Sequence, residues 1–258
     1  MITRRGAIQN GAAGLGALAA LGMTRSMATA APECVTSPAQ TEGPYWVDEM
    51  LNWSDIRSDP STGDVKPGLP LRLAINVSEY SGAGCTPVSG CYVDVWHCDA
   101  GGLYSDVSQN GTLGERFLRG YQVSDDHGNV RFLTIYPGYY NGRTVHIHFR
   151  IRKFSGTTTT FNFVSQLYFS DSITDDIFDR ESPYNTRSSR GTRNSNDNIY
   201  AESMLLRLAD NGDHAVASIN AVINDDAGLV VLNGAPMDSD SLHHMHDFGG
   251  GTPPFVIT

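Results

Sequence analysis

The stretch Tyr136-Pro137-Gly138-Tyr139-Tyr140-Asn141-Gly142-Arg143-Thr144-Val145-His146-Ile147-His148-Phe149 alternates polar and apolar residues over its second half. In a strand, residues two apart share a face, so His146 and His148 project together and Val145, Ile147 and Phe149 project the other way. A phenol and a guanidinium lie just upstream, at Tyr140 and Arg143. Two histidines on one strand face are half of a metal site. They are also what an ordinary exposed strand carries, so the rest of the chain has to decide.

Outward from this stretch the same period recurs. Leu71, Leu73, Ile75 and Val77 alternate strictly, and Cys91 to His97 reads as a second strand. Further strands are expected near Phe117 to Val123, Val130 to Ile135, Thr144 to Arg152 and Phe161 to Phe169, then over the apolar segments Tyr200 to Leu208, Ala215 to Ile223 and Gly228 to Leu232. A short helix is expected at Thr174 to Phe178. Short strands separated by Gly/Asp turns, without βαβ alternation, predict an all-β, antiparallel sandwich with long loops and few short helices. No internal repeat is visible.

The chain has 258 residues, 40% hydrophobic and 18% charged, enough for a substantial core. Its formal charge of −10 disfavours nucleic acid and anionic membrane surfaces as partners. Residues 1–30 join Arg4 and Arg5 to a Gly/Ala-rich apolar run and end in Ala28-Thr29-Ala30, the pattern of a cleaved signal. The paired arginines point to the twin-arginine route, hence to an exported, periplasmic or extracellular protein with no membrane span in its mature form. Residues 31–70, rich in Pro, Gly, Asp and Ser, read as an irregular arm over a catalytic domain at 71–235. Residues 236–258, with His243, His244 and His246, read as a flexible tail.

Cys34, Cys85, Cys91 and Cys98 are an even count, which in an exported protein favours disulfides. Without a C-x-x-C pair there is no zinc knuckle. Cys91 and Cys98 have opposite parity along one strand and are poor partners for each other. His97 is expected to be a structural hydrogen-bonder, with Asp94 as its partner.

Glu42-Gly43-Pro44-Tyr45, Val93-Asp94-Val95-Trp96-His97-Cys98-Asp99-Ala100 with Gly102-Leu103-Tyr104-Ser105, and Thr134-Ile135-Tyr136-Pro137-Gly138-Tyr139-Tyr140 with Gly142-Arg143 and His146-Ile147-His148-Phe149 occur in this order. The series resembles the intradiol ring-cleavage dioxygenases, the family of catechol 1,2-dioxygenase and protocatechuate 3,4-dioxygenase, from about Glu42 to Tyr200. The resemblance implies a non-haem Fe(III) held by Tyr104, Tyr140, His146 and His148, with Tyr139 as the rival to Tyr140. It further implies Arg143 and Gln166 as active-site residues and Tyr45 as a pocket wall.

The expected reaction is intradiol cleavage of a catechol-type aromatic diol by O2, giving a cis,cis-muconate-type diacid without nicotinamide or flavin. Two tyrosinates suit a hard trivalent ion, and a fixed arginine beside the reacting ring would stabilise developing negative charge. The family's cytosolic members dimerise through an N-terminal helical region. The arm from Glu33 to Pro70 stands in its place here, so that mode of assembly is not expected of this homo-oligomer candidate. Two rivals stand beside this reading: a cupin-like site, which needs a carboxylate ligand where Phe149-Arg150-Ile151-Arg152-Lys153 brings cations, and an exported β-sandwich binding module that has lost catalytic iron.

Overall fold

Alternation along the strands sorts side chains into an apolar layer between two sheets and a polar outer face. The computed structural model describes residues 37–80, 84–210, 215–224 and 228–232. The segment read as a signal, Cys34 and the histidine-bearing tail lie outside them. The first sheet is built on β1 (Pro70–Tyr80). One edge of β1 pairs antiparallel with β5 (Asn129–Ile135) over Pro70 to Asn76, and with β2 (Cys85–Pro87) over Ser78 to Tyr80. Its other edge pairs with β9 (Ala215–Asn224), which β8 (Arg207–Asp210) and β10 (Gly228–Leu232) flank. The β1–β9 pair is parallel, whereas the other pairings between the described strands are antiparallel.

The second sheet runs in the order β4 (Arg119–Val123), β3 (Tyr92–Trp96), β6 (His146–Ser155), β7 (Thr158–Tyr168), all antiparallel. Its inner face presents Val93, Val95, Ile147, Phe149 and Ile151, which meet Leu71, Leu73, Ile75 and Val77 of β1 in one apolar cluster. Each of these nine side chains is no more than 1% exposed. After β7 the single α-helix among the described residues, α1 (Asp171–Arg180), buries Thr174 and Ile177. It is longer at both ends than the sequence suggests. No described helix is long and apolar enough to cross a membrane.

The described part of the arm is tied down by hydrogen bonds, with no strand of its own. The Gln40 amide donates to the Val164 carbonyl at 2.9 Å, Arg150 pairs with Glu42, and Arg152 forks between Asp48 and Asp94. Further on, the Tyr121 amide donates to the Leu51 carbonyl at 2.7 Å, and that of Leu133 to Ser54. The arm therefore crosses the outer face of the second sheet from β7 to β4.

Two sequence expectations fail. Asp94 does not serve His97: it accepts from Nη2 and Nε of Arg152 at 2.7 and 2.9 Å. His97, three residues on, has the opposite strand parity and instead meets Thr134 Oγ1 at 2.7 Å and the Cys98 carbonyl at 2.8 Å. The cysteines are not all in disulfides: Cys85 is disulfide-bonded, whereas Cys91 and Cys98 are buried thiols. Cys91 packs into the inter-sheet core and Cys98 beside Trp96 and Tyr104, out of reach of a surface bridge.

Leu73, 1% exposed between the sheets, should be intolerant of truncation. Leu73→Ala is expected to destabilise the fold by about 3 kcal/mol, read as a lower urea midpoint at unchanged slope.

Candidate metal centre

His146 and His148 leave β6 on the face opposite Ile147, and their imidazole Nε2 atoms stand 3.2 Å apart. Two phenols complete the group. The Tyr140 hydroxyl lies 3.2 Å from His146 Nε2, and that of Tyr104 3.5 Å from the same atom. His146, His148 and Tyr104 are 3%, 1% and 1% exposed, while Tyr140 is half-buried and forms the open side.

Each donor is aimed by local structure. The Thr144 carbonyl lies 2.7 Å from His146 Nδ1; a carbonyl can only accept, so Nδ1 carries the proton and Nε2 turns its lone pair to the cluster. The ring of His148 lies flat on Trp96, at 4.9 Å and 9°. Tyr104 is held through its backbone, whose carbonyl accepts from Thr112 Oγ1 at 2.6 Å.

Two glycines let the tyrosine-bearing loops touch. At Gly102, with φ +90°, a Cβ would lie 2.2 Å from the Tyr139 carbonyl oxygen; at Gly138 it would lie 2.5 Å from those of Asp99 and Ala100.

Burial leaves all four donors neutral at neutral pH. It pulls His146 down to about 3, with the nearby Arg143 adding to the effect, and His148 well below the ordinary 6.5. It pushes Tyr140 up to about 12 against the opposing pull of Arg143, and Tyr104 well above 10. Deprotonating two buried phenols takes a strongly Lewis-acidic cation, and the converging oxygens and nitrogens match a hard trivalent ion. His148 Nδ1 is buried with no hydrogen-bond partner, and its Nε2 faces His146 Nε2. Among the described residues no three His, Cys, Asp or Glu side chains converge, which removes the carboxylate that a cupin-like site needs.

Arg143 and Gln166 meet beside this cluster. Arg143 Nη2 donates to Gln166 Oε1 at 2.5 Å, and its Nε to Asp197 Oδ2 at 2.9 Å. Gln166 lies opposite His148 in the β6–β7 register and donates from Nε2 to the Thr41 carbonyl of the arm. Tyr45, also on the arm, stacks on Tyr104 with centroids 4.6 Å apart. Tyr139 points elsewhere: its hydroxyl donates to the Ser188 carbonyl, and its ring lies under Arg187. Of the adjacent tyrosines, Tyr140 is the one whose phenol joins the histidines.

Sequence reasoning missed Asp197, whose carboxylate also accepts from the Thr144 and Ile199 amides at 2.8 Å each. It lies more than fifty residues from Arg143 and Thr144, in a polar stretch that resembles a surface loop. It likewise missed Gln40, which links Ser165, Gln166 and Ile199.

Fold and donors together define a β-sandwich protein with a buried two-tyrosine, two-histidine cluster under an N-terminal arm. A family model described as "Dioxygenase" matches residues 41–192, and the chain belongs to the intradiol ring-cleavage dioxygenase family. The intradiol ring-cleavage dioxygenase of Tetranychus urticae superposes with a TM-score of 0.65 at 29% identity, covering 76% of this chain and 97% of that one. The chlorocatechol 1,2-dioxygenase of Pseudomonas putida is 28% identical over 156 residues, 53% of this chain and 57% of its own. Catechol 1,2-dioxygenase 1 of Acinetobacter lwoffii is 25% identical over 146 residues, 49% of this chain and 46% of its own. The chain thus spans about half the length of these two curated relatives.

Burial alone would raise the carboxyl of Asp197, but the Thr144 and Ile199 amides and Arg143 hold it below 3.8. A depressed carboxylate contributes stability that is present above its unfolded value and lost as pH falls through its folded one. Asp197→Asn should therefore destabilise the protein by about 2 kcal/mol at neutral pH. The gap from wild type, followed by thermal melts, should close in strong acid.

Proposed function

We propose that this chain cleaves a catechol-type aromatic diol between its two hydroxyl-bearing carbons, using O2, at an Fe(III) held by Tyr104, Tyr140, His146 and His148. The observation that carries this is the meeting of two phenols and a second imidazole within 3.5 Å of His146 Nε2. The chlorocatechol and catechol 1,2-dioxygenases among its relatives support the substrate class. Both atoms of O2 would end in a cis,cis-muconate-type diacid, and no external reductant is consumed. Bound there, Fe(III) would supply a Lewis acid that ionises the phenols, takes both diol oxygens and makes the ring reactive toward O2.

The remaining steps belong to the protein. Once ionised, Tyr140, on the open side and with a phenol that otherwise holds its proton up to about 12, is the natural acceptor for a proton as the diol binds. Arg143 stays cationic and is held at two points by Asp197 and Gln166, so it needs no reorganisation to stabilise negative charge on the ring. Gln166 is fixed in turn by Thr41. Tyr45 gives a planar ring an aromatic wall, and the arm excludes water above the donors. Export of the folded protein through a twin-arginine signal in residues 1–30 is part of the same proposal, with phenolic material outside the cytosol as the source of substrate.

The purified protein should take up O2 in step with loss of catechol, without added reductant, and yield an acyclic diacid. Tyr140→Phe should slow turnover roughly hundredfold, whereas Tyr139→Phe should leave it within about threefold of wild type. Catechol binding without O2 uptake would support a binding module instead.

A further inference from the structure

Arg119 opens β4 and belongs to a row that crosses the second sheet: Arg119 pairs with Trp96, Trp96 with His148, and His148 with Gln166. Directly opposed residues in a sheet share a face, so the side chain of Arg119 stands on the same side as the histidine pair. It is 4% exposed.

The Arg119 guanidinium uses all its arms on neutral acceptors. Nε donates to Ser105 Oγ at 2.7 Å, Nη2 to the Ser105 carbonyl at 2.6 Å, and Nη1 to the Tyr45 carbonyl at 2.7 Å. It makes no ion pair among the described residues; Tyr104, Glu49 and Asp106 act on it only through space. A buried cation without a counter-ion is costly, and these three bonds are what offsets that cost.

The acceptors belong to two separate segments. Ser105 follows Tyr104 on the loop after β3, and Tyr45 is on the arm. The rings of Tyr104 and Tyr45 stack at 4.6 Å and 29°, and Tyr45 also meets Tyr140 edge-on at 5.9 Å. Two residues before Tyr45, the arm passes His148 so closely that a Cβ on Gly43 would lie 3.5 Å from its Cε1.

We propose that Arg119 is the positioning residue for the aromatic roof of the site. One guanidinium ties the arm to the Tyr104 loop and so fixes the gap through which a planar aromatic substrate enters. The role of the gap rests on the ring-cleaving reading above; the tie between the segments does not. A lysine keeps the charge but lacks the planar fork that reaches both segments.

The test is hydrogen exchange of the metal-free protein, joined to steady-state kinetics of the iron-loaded one, for wild type, Arg119→Met and Arg119→Lys. Amides at 43–48 and 104–107 should exchange at least about fivefold faster in both variants, with the strands unchanged. KM for catechol should rise roughly tenfold while kcat stays within about threefold. Should Arg119→Met fail to fold, Arg119→Lys carries the comparison. Unchanged exchange in the two segments overturns the proposal, as does full recovery of exchange and KM by Arg119→Lys. A wild-type protein with no ring-cleaving activity would refute the proposed function, while the exchange data would still decide the tie.

Discussion

β6 has to serve two environments at once, and its two-residue period is what allows it. Ile147, Phe149 and Ile151 are each 0% exposed, packed between the sheets. Burying them turns His146 and His148 to the opposite face. A one-residue slip of register would drive both imidazoles into hydrocarbon and expose the apolar set, so the hydrophobic core itself enforces the histidine pair. Pairing then extends the constraint sideways: once His148 is fixed, Trp96 and Arg119 on one side and Gln166 on the other fall into the same row.

That row would be solvent-exposed on a bare sandwich. The arm and the two tyrosine-bearing loops cover it, and covering it changes its chemistry. Desolvation keeps the imidazoles unprotonated and the phenols protonated, so the site presents neutral donors until a cation strong enough to ionise two tyrosines arrives. The groups that keep a fixed charge nearby are neutralised or anchored individually. Arg143 pairs with Asp197, Arg152 with Asp94 and Asp48, and Arg150 with Glu42 beneath Trp46.

Much of this was legible in the sequence because strand parity is local. The alternation at Leu71 to Val77 and at Val145 to Phe149 yields both the sandwich and the shared face of the histidines, and the ordered short motifs pick out Tyr104, Arg143 and Gln166. Long-range pairing was not legible. Nothing local marks β9 as the parallel neighbour of β1, Asp197 as the partner of Arg143, or Thr134 rather than Asp94 as the partner of His97. The adjacent Tyr139 and Tyr140 could not be separated by pattern, because their directions depend on how the 137–142 turn rests on the loop at Asp99 to Gly102. Arg119 is likewise an unremarkable strand residue until Tyr45 and Ser105 are seen on either side of its guanidinium.

The central claim is that Tyr104, Tyr140, His146 and His148 together hold a trivalent iron, and the visible spectrum with metal analysis of the purified protein tests it most directly. Charge transfer from tyrosinate to Fe(III) should make the protein red-brown, with iron in stoichiometric amount and a band that shifts when a catechol is added. A colourless protein, loaded with zinc or free of metal after supply of iron, would contradict the account.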